Sequence, residues 1–354
     1  MKHRWLRAAA AMVIVAGCTA PPPPAPPATT VAVPPPAPPP TTVAVPPPDS
    51  AGVPAPAPVV CPPATVTVGT ADELTAALAG AGPGTVIALR DGTYAGNFAA
   101  TAEGTRDAPV HLCGGRGAVL DAGGIKEGYV LHLDGAAWWR VVGFTVRNGQ
   151  KGVMADGVTH TTIQGLHVTT TGDEAIHLRR HSSDNVVADN DIDTTGLRRD
   201  KFGEGVYVGS ADSNWCTVTD CAPDRSDRNR VLDNRIRATG SESIDIKEGT
   251  TGGVIRGNTF DGTGMTGADS WVDVKGSGWL IERNRGTHSP LDGFQTHRIG
   301  KGGWGDANVF RGNSADVRAD GFGYAVRPAL GNVVGCDNTA ADAGSGLSNV
   351  GCTP

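Results

Sequence analysis

The chain is poor in aromatic residues, at 5%, and shows no helical periodicity over any long stretch. It has no block of basic residues beyond its first seven positions, and its formal net charge is −6. Nucleic acid is therefore not expected as a partner. It has no CxxC pair and no cluster of histidines, so a zinc site lacks its usual ligand spacing. Proline is scarce from residue 64 onward, since 20 of the 26 prolines lie at or before Pro63. What remains is a glycine-rich stretch of roughly 290 residues, long enough for one elongated domain with its own core.

The first positions have the form of an export signal. Lys2, His3, Arg4 and Arg7 precede the apolar run Ala8–Val15, too short to span a bilayer. Val15-Ala16-Gly17-Cys18 follows, which resembles the lipobox of bacterial lipoproteins, whose cysteine is lipidated and becomes the mature N-terminus. The expected organisation is a signal peptide over 1–17, a lipidated Cys18 with a proline-rich tether over 18–63, and a folded domain over 64–354. Residues 19–60 carry TTVAVPPP twice, at Thr29 and Thr41. Proline at that density favours extended polyproline II, with a reach of roughly 130 Å at about 3.1 Å per residue. The location this implies is the outer face of the cell membrane, with the membrane contacted through Cys18 and the domain held out into the wall. The domain is expected to be a monomer.

Six cysteines remain after Cys18, and an even number in an exported chain argues for disulfides. Their spacing suggests three local pairs: Cys61–Cys113, Cys216–Cys221 and Cys336–Cys352. Thr70-Ala71-Asp72-Glu73 has the form of a capping box before Leu74, Ala77 and Leu78, so a short helix is expected ahead of the β region. Such a helix would cover the open first rung of a solenoid.

Internal repetition is the strongest signal. Similar segments start at Asn185, Asn229, Gly253, Trp279, Asn308 and Asn332, and share Asn190, Asn234, Asn258, Asn284, Asn313 and Asn338. The steps between these asparagines are 44, 24, 26, 29 and 25 residues. An insertion of roughly 19 residues around Cys216 and Cys221 accounts for the long first step. A period near 25 with short apolar strands excludes βαβ units. It predicts an all-β, single-stranded right-handed parallel β-helix in which stacked asparagine amides form a ladder at one corner. Asparagine also tolerates the left-handed conformation that corners demand.

Between the corners a second motif recurs, from Glu174-Ala-Ile-His-Leu-Arg179 to Asp320-Gly-Phe-Gly-Tyr-Ala325. Its third and fifth residues are apolar and expected to point inward, so the fourth and sixth point out. One outward column is then His177, Tyr207, Asp245, Asp273 and Gln295. Its neighbour is Arg179, Gly209, Lys247, Lys275 and His297. The acids that open the motifs form a third column. Corner capping explains Glu174, Asp292 and Asp320, whereas Glu204 and Glu242 are also candidate calcium ligands.

In this pattern the chain resembles the pectate-lyase-like superfamily of right-handed β-helix proteins. Gly84–Tyr94 and Ala108–Leu112 resemble the first coils of chondroitinase B and related alginate lyases. The resemblance implies β-elimination on an acidic, uronate-containing polysaccharide, which requires a base for the proton α to a carboxylate and a cation to offset the developing charge. Ser243–Lys247 resembles the strand that carries the catalytic lysine in the chondroitinase B group, with Glu242 matching a calcium-binding acid. Gly240 stands where the family has a companion acid, and no arginine follows one coil later. Lys247 is accordingly the expected base, its pKa lowered by Lys275 on the adjacent coil. Lys275, Arg179 and His297 are expected to serve substrate charge or the leaving group, with His177, Tyr207 and Gln295 binding substrate. Calcium is expected on Glu204, Glu242, Asp245 or Asp273. A uronate epimerase would use the same proton abstraction, and a non-catalytic glycan-binding solenoid would need none of it. A polygalacturonase-type hydrolase lacks its triad of aspartates here.

Overall fold

The computed structural model describes residues 57–299 and 302–354; the export signal, Cys18 and most of the proline-rich tether lie outside them. The chain winds into a right-handed parallel β-helix of three sheets. Sheet A has eleven strands; sheets B and C have ten each. One coil shows the plan: Thr162–Gln164 in sheet A, His167–Thr169 in sheet B, Ile176–Arg179 in sheet C, and a return to sheet A at Val186–Ala188. Each strand pairs in parallel with its equivalent one coil away, as Ile163 does with Val187 and Val168 with Ile192. The inward members of each strand, such as Ile163, Val168, Ile176 and Leu178, form one continuous core along the axis. Short strands suffice because every strand except those at the two ends of each sheet lies between two coils and packs on the other two sheets.

The asparagine ladder runs along the corner between sheets A and B. The Oδ1 of Asn234 accepts the N–H of Asn190 at 3.0 Å and its Nδ2 at 2.9 Å; Asn258 does the same for Asn234, and Asn284 for Asn258. Each Nδ2 also reaches a backbone carbonyl, as Asn258 does to Val231 O at 2.9 Å. The amides thus satisfy the backbone N–H that the bend takes out of the sheet ladder. The left-handed residue at this corner is the one before the asparagine, namely Asp189, Asp233, Gly257, Arg283 and Gly312, all with φ between 53° and 71°. The asparagine is therefore selected for its side-chain amide, and its expected left-handed conformation is not what the corner uses.

The start of the solenoid is closed by the helix Ala71–Ala79. The Thr70 hydroxyl accepts from Glu73 N–H, and Glu73 Oε2 accepts from Gly69 N–H at 2.7 Å. Leu74 and Leu78 are the residues this helix buries over the first coil. The three expected disulfides are present: Cys61–Cys113, Cys216–Cys221 and Cys336–Cys352.

Candidate active site

The outer face of sheet C carries the two expected columns. Backbone register stacks His177 on Tyr207, Tyr207 on Asp245, Asp245 on Asp273 and Asp273 on Gln295. The neighbouring column takes Arg179, Gly209, Lys247, Lys275 and His297 on the same strands or just beyond them. These side chains are not a solvated decoration. Asp245, Asp273 and Lys275 are all buried.

Burial at this density requires charge pairing, and the pairs form a chain. Asp245 Oδ2 meets Lys247 Nζ at 2.8 Å, and its Oδ1 meets Lys275 Nζ at 2.7 Å. Lys275 Nζ also lies 2.6 Å from Asp273 Oδ2, and Asp273 Oδ1 takes His297 Nδ1 at 2.9 Å. Burial alone would lower the lysine pKa values. Asp245 at Lys247, and Asp245 with Asp273 at Lys275, outweigh it, and both are raised above the ordinary range. This overturns the expectation that Lys275 depresses Lys247 into a neutral base: the nearest charges are carboxylates, and both lysines stay ammonium ions. It also removes Asp273 from the candidate metal ligands, because Lys275 and His297 occupy its oxygens. Gln295 likewise leaves the substrate-facing set. It is fully buried and donates to Asp292 Oδ2 at 2.9 Å.

Glu204, Glu242 and Asp245 converge, each offering an oxygen within 4.8 Å of the others. Glu204 Oε2 is buried without a hydrogen-bond partner. Burial and the neighbouring acids push the Glu204 carboxyl well up, and burial with Asp245 raises Glu242 to about 7. Glu204 and Glu242 make no ion pair among the described residues, and a cluster of this kind fits a hard divalent cation. Glu204 and Glu242 are the better donors, since both Asp245 oxygens already face lysines.

A cleft of about 310 Å³ opens beside these residues, over the coils of Lys151, His177 and Tyr207. One wall is the segment around Arg198, Arg199 and Phe202; the other is the loop bearing Asn214, Thr217 and Val218. The second wall is the disulfide-closed insertion expected from the repeat spacing, and it does overhang this face. The first wall was not legible as a separate loop: the 44-residue step contains both. Asp224 pins the second wall, accepting the N–H groups of Arg180 and His181 and the hydroxyls of Ser210 and Ser226.

Inside the cleft most charges are paired. Lys151, which the repeat pattern does not single out, bonds Glu174 Oε1 at 2.7 Å. Burial works against the Glu174 carboxylate, but His177 and Lys151 outweigh it and hold its pKa at about 2. Glu174 is thus a cleft acid and no corner cap, whereas Asp292 does cap a corner by accepting Phe322 N–H. Arg179 is held by Asp156, and Arg198 by Asp173. His177 Nε2 lies 3.0 Å from Gly209 O and its Nδ1 3.3 Å from Lys151 Nζ. Burial and Lys151 lower its pKa, which keeps the ring neutral. Tyr207 lies between His177, whose ring centroid is 4.4 Å away, and Lys247, whose Nζ is 5.0 Å from the phenol ring. Its hydroxyl makes no hydrogen bond among the described residues, and burial together with Asp245 and Glu204 raises its pKa.

A three-sheet parallel solenoid with a charged cleft across one sheet defines this protein as a pectate-lyase-like β-helix. The alginate lyase from Paenibacillus sp. str. FPU-7 superposes with a TM-score of 0.74 at 34% identity, over 81% of this chain and 99% of that one. The chain belongs to the same family as that enzyme. Pectate lyase Pel9A shares the fold, with a TM-score of 0.50 at 14% identity over 78% of this chain and 72% of the other. No protein-family model and no curated protein matches the sequence.

Proposed function

We propose that this protein is a polysaccharide lyase that cleaves an acidic, alginate-like uronate polymer by β-elimination in the sheet C cleft. The observation that carries the reading is Tyr207. With Arg199, it is one of two titratable cleft residues whose side chains have no ion-pair or hydrogen-bond partner among the described residues. It is the one of the pair that can give up a proton, and it stands among cations suited to uronate carboxylates. In the reaction the neutral His177 ring takes the C5 proton, the electron pair left behind forms the C4–C5 double bond, the C4–O4 bond breaks, and O4 takes up a proton. Tyr207, protonated at rest, supplies the proton to O4. Proton return from His177 to the Tyr207 phenolate, whose ring lies 4.4 Å away, then restores both groups. Arg199, whose guanidinium lies over the Phe202 ring, and the rims of Lys151 and Arg179 take the substrate carboxylates. Lys247, held as an ammonium ion beside the Tyr207 ring, offsets negative charge that develops there. Glu204 and Glu242 would hold a calcium ion, whose charge when bound offsets that developing on the carboxylate.

The test is the ultraviolet absorbance of the new conjugated double bond. Purified protein is offered alginate, pectate and glycosaminoglycans, with and without a chelator. A rise on alginate supports the proposal. Altered uronate stereochemistry without unsaturation would instead identify an epimerase. Binding to alginate with neither product would leave a glycan-holding solenoid.

We also propose that the domain is exported and anchored through a lipid at Cys18, since Val15–Cys18 has the lipobox form. Detergent-phase partition of the protein from a bacterial host, lost in Cys18→Ser, is the expected result. Equal partition of both forms would remove the anchor.

A further inference from the structure

Of the two walls that flank the sheet C cleft, the one formed by residues 196–203 carries Arg199 and Phe202. Arg199 is the cleft cation that no carboxylate among the described residues engages, since Lys151, Arg179 and Arg198 are each paired. Its use to a substrate carboxylate therefore depends on where the wall holds it. Leu197 and Phe202 are both about half exposed, at 49% and 47%. A short loop with so little apolar burial cannot fix its own height. The support has to come from the coils it lies against.

That support is backbone against backbone and spans four coils. On the coil of His177, Thr171 O accepts from Leu197 N–H at 3.1 Å and Gly172 O from Arg198 N–H at 2.8 Å. Within the wall, on the coil of Tyr207, Gly203 N–H closes a turn on Asp200 O at 3.0 Å. On the coil of Lys247, Ser241 N–H donates to Gly203 O at 3.2 Å, and Gly240 lies against the wall itself. A Cβ on Gly240 would stand 2.9 Å from Asp200 O, 3.0 Å from Asp200 Cα and 3.1 Å from Gly196 Cα. Behind it, on the coil of Lys275, Gly267 N–H donates to Gly240 O at 2.7 Å, and Thr266 Oγ1 lies 3.2 Å from Asp200 Oδ2. Gly240 is thus held from the far side and has no room to retreat. The atoms facing the missing Cβ all belong to the main chain, so no change of rotamer relieves the contact. A side chain at 240 has to lift the wall.

We propose that Gly240 is a positioning residue: by having no side chain it seats the 196–203 wall at the height that brings Arg199 over a substrate carboxylate. The role rests on the lyase activity proposed above and adds to it a residue that sets substrate affinity without touching substrate. Its signature is directional. Lifting the wall carries Arg199 away, whereas His177 and Tyr207 stand on sheet C strands and stay in place. Binding should suffer and the chemical step should not.

The experiment compares the wild type, Gly240→Ala, Arg199→Ala and the double variant, by initial rates on alginate and by affinity for an alginate hexasaccharide. Gly240→Ala should raise KM by about tenfold or more, the worth of one lost charge-assisted contact. Its kcat should stay within about twofold of wild type. In the Arg199→Ala background the same substitution should add less than about twofold, because the group it misplaces is already gone. Hydrogen exchange should quicken at the Arg198 and Gly203 amides and stay unchanged at those of Asn190 and Asn234. Thr266→Val removes the bond to Asp200 at an exposed position and should raise KM by about threefold; it decides the matter if Gly240→Ala does not fold. An unchanged KM, a loss confined to kcat, or full additivity with Arg199→Ala overturns the seat. A wild-type protein that binds alginate without cleaving it would sink the lyase activity alone, and the hexasaccharide affinities would then decide the seat. If alginate is neither bound nor cleaved, Arg199 has no carboxylate to meet and both fall.

Discussion

Replacing Tyr207 with phenylalanine is expected to reduce kcat on alginate by about a hundredfold to ten-thousandfold, the usual range for a lost proton-transfer group. KM should change little, because the aromatic ring that borders the cleft is retained. The stability change should also be small. The hydroxyl makes no hydrogen bond among the described residues, so no partner is left stranded when it is removed. The split separates this residue from its neighbours. Arg199→Ala removes a cation from the carboxylate side of the cleft and should raise KM more than it lowers kcat. Lys247→Ala removes the ammonium ion beside the ring and a partner of Asp245 together, so it should lower both kcat and stability. Initial rates of double-bond formation with parallel thermal unfolding check all three. A Tyr207→Phe enzyme with wild-type kcat would leave the proposed mechanism without its proton donor.

The fold was legible because its information is repeated. Asn190 through Asn338 are spaced by one coil each once the insertions are set aside, and every one of them closes the same corner. The alternation within Ile176-His-Leu-Arg179 and its equivalents was equally legible, so both outward columns emerged in the right register. What alternation cannot supply is the diagonal distance between columns. Asp245 belongs to one column and Lys275 to the other, a coil further on, yet their charged atoms are 2.7 Å apart. Those contacts decide the sign of the lysine shifts, and a list of columns does not contain them. The cleft walls were hidden for a different reason. Arg198 and Arg199 lie in one loop and Cys216–Cys221 in another, but both fall inside a single long step between asparagines. Lys151 opens its strand without the acid that marks the later coils, so the motif passed over it. Polar residues in loops that occur once leave no periodic trace.

The second large effect concerns the buried ion chain. Lys275→Met should destabilise the domain by about 3–5 kcal/mol near neutral pH, because two buried carboxylates lose their shared cation. Methionine keeps the packing of the stem, so most of the loss is electrostatic. The pH dependence follows from Asp273. Burial raises its pKa, but Lys275 first and His297 next outweigh that and hold it well below the ordinary range. A depressed carboxyl contributes stability that is present above its unfolded pKa, about 3.9, and is lost as pH falls through the folded value. Without Lys275 burial dominates, Asp273 takes up a proton more readily, and acid relieves the unpaired charge. The difference between variant and wild type should therefore be largest above about pH 5 and shrink toward pH 4. His297 acts in the opposite sense in the wild type. Its hydrogen bond to Asp273 outweighs burial and raises its pKa. Its contribution is full below about 6.5 and disappears as pH climbs through the folded value. Urea unfolding at pH 4, 6 and 8 measures both trends. The double variant Asp273→Asn with Lys275→Met should recover part of the loss, since Asp273 is the carboxylate left without a lysine, whereas Asp245 keeps Lys247. Equal destabilisation at pH 4 and pH 8 would mean that Lys275 acts through packing, and the charge chain would then not be what holds this face of sheet C together.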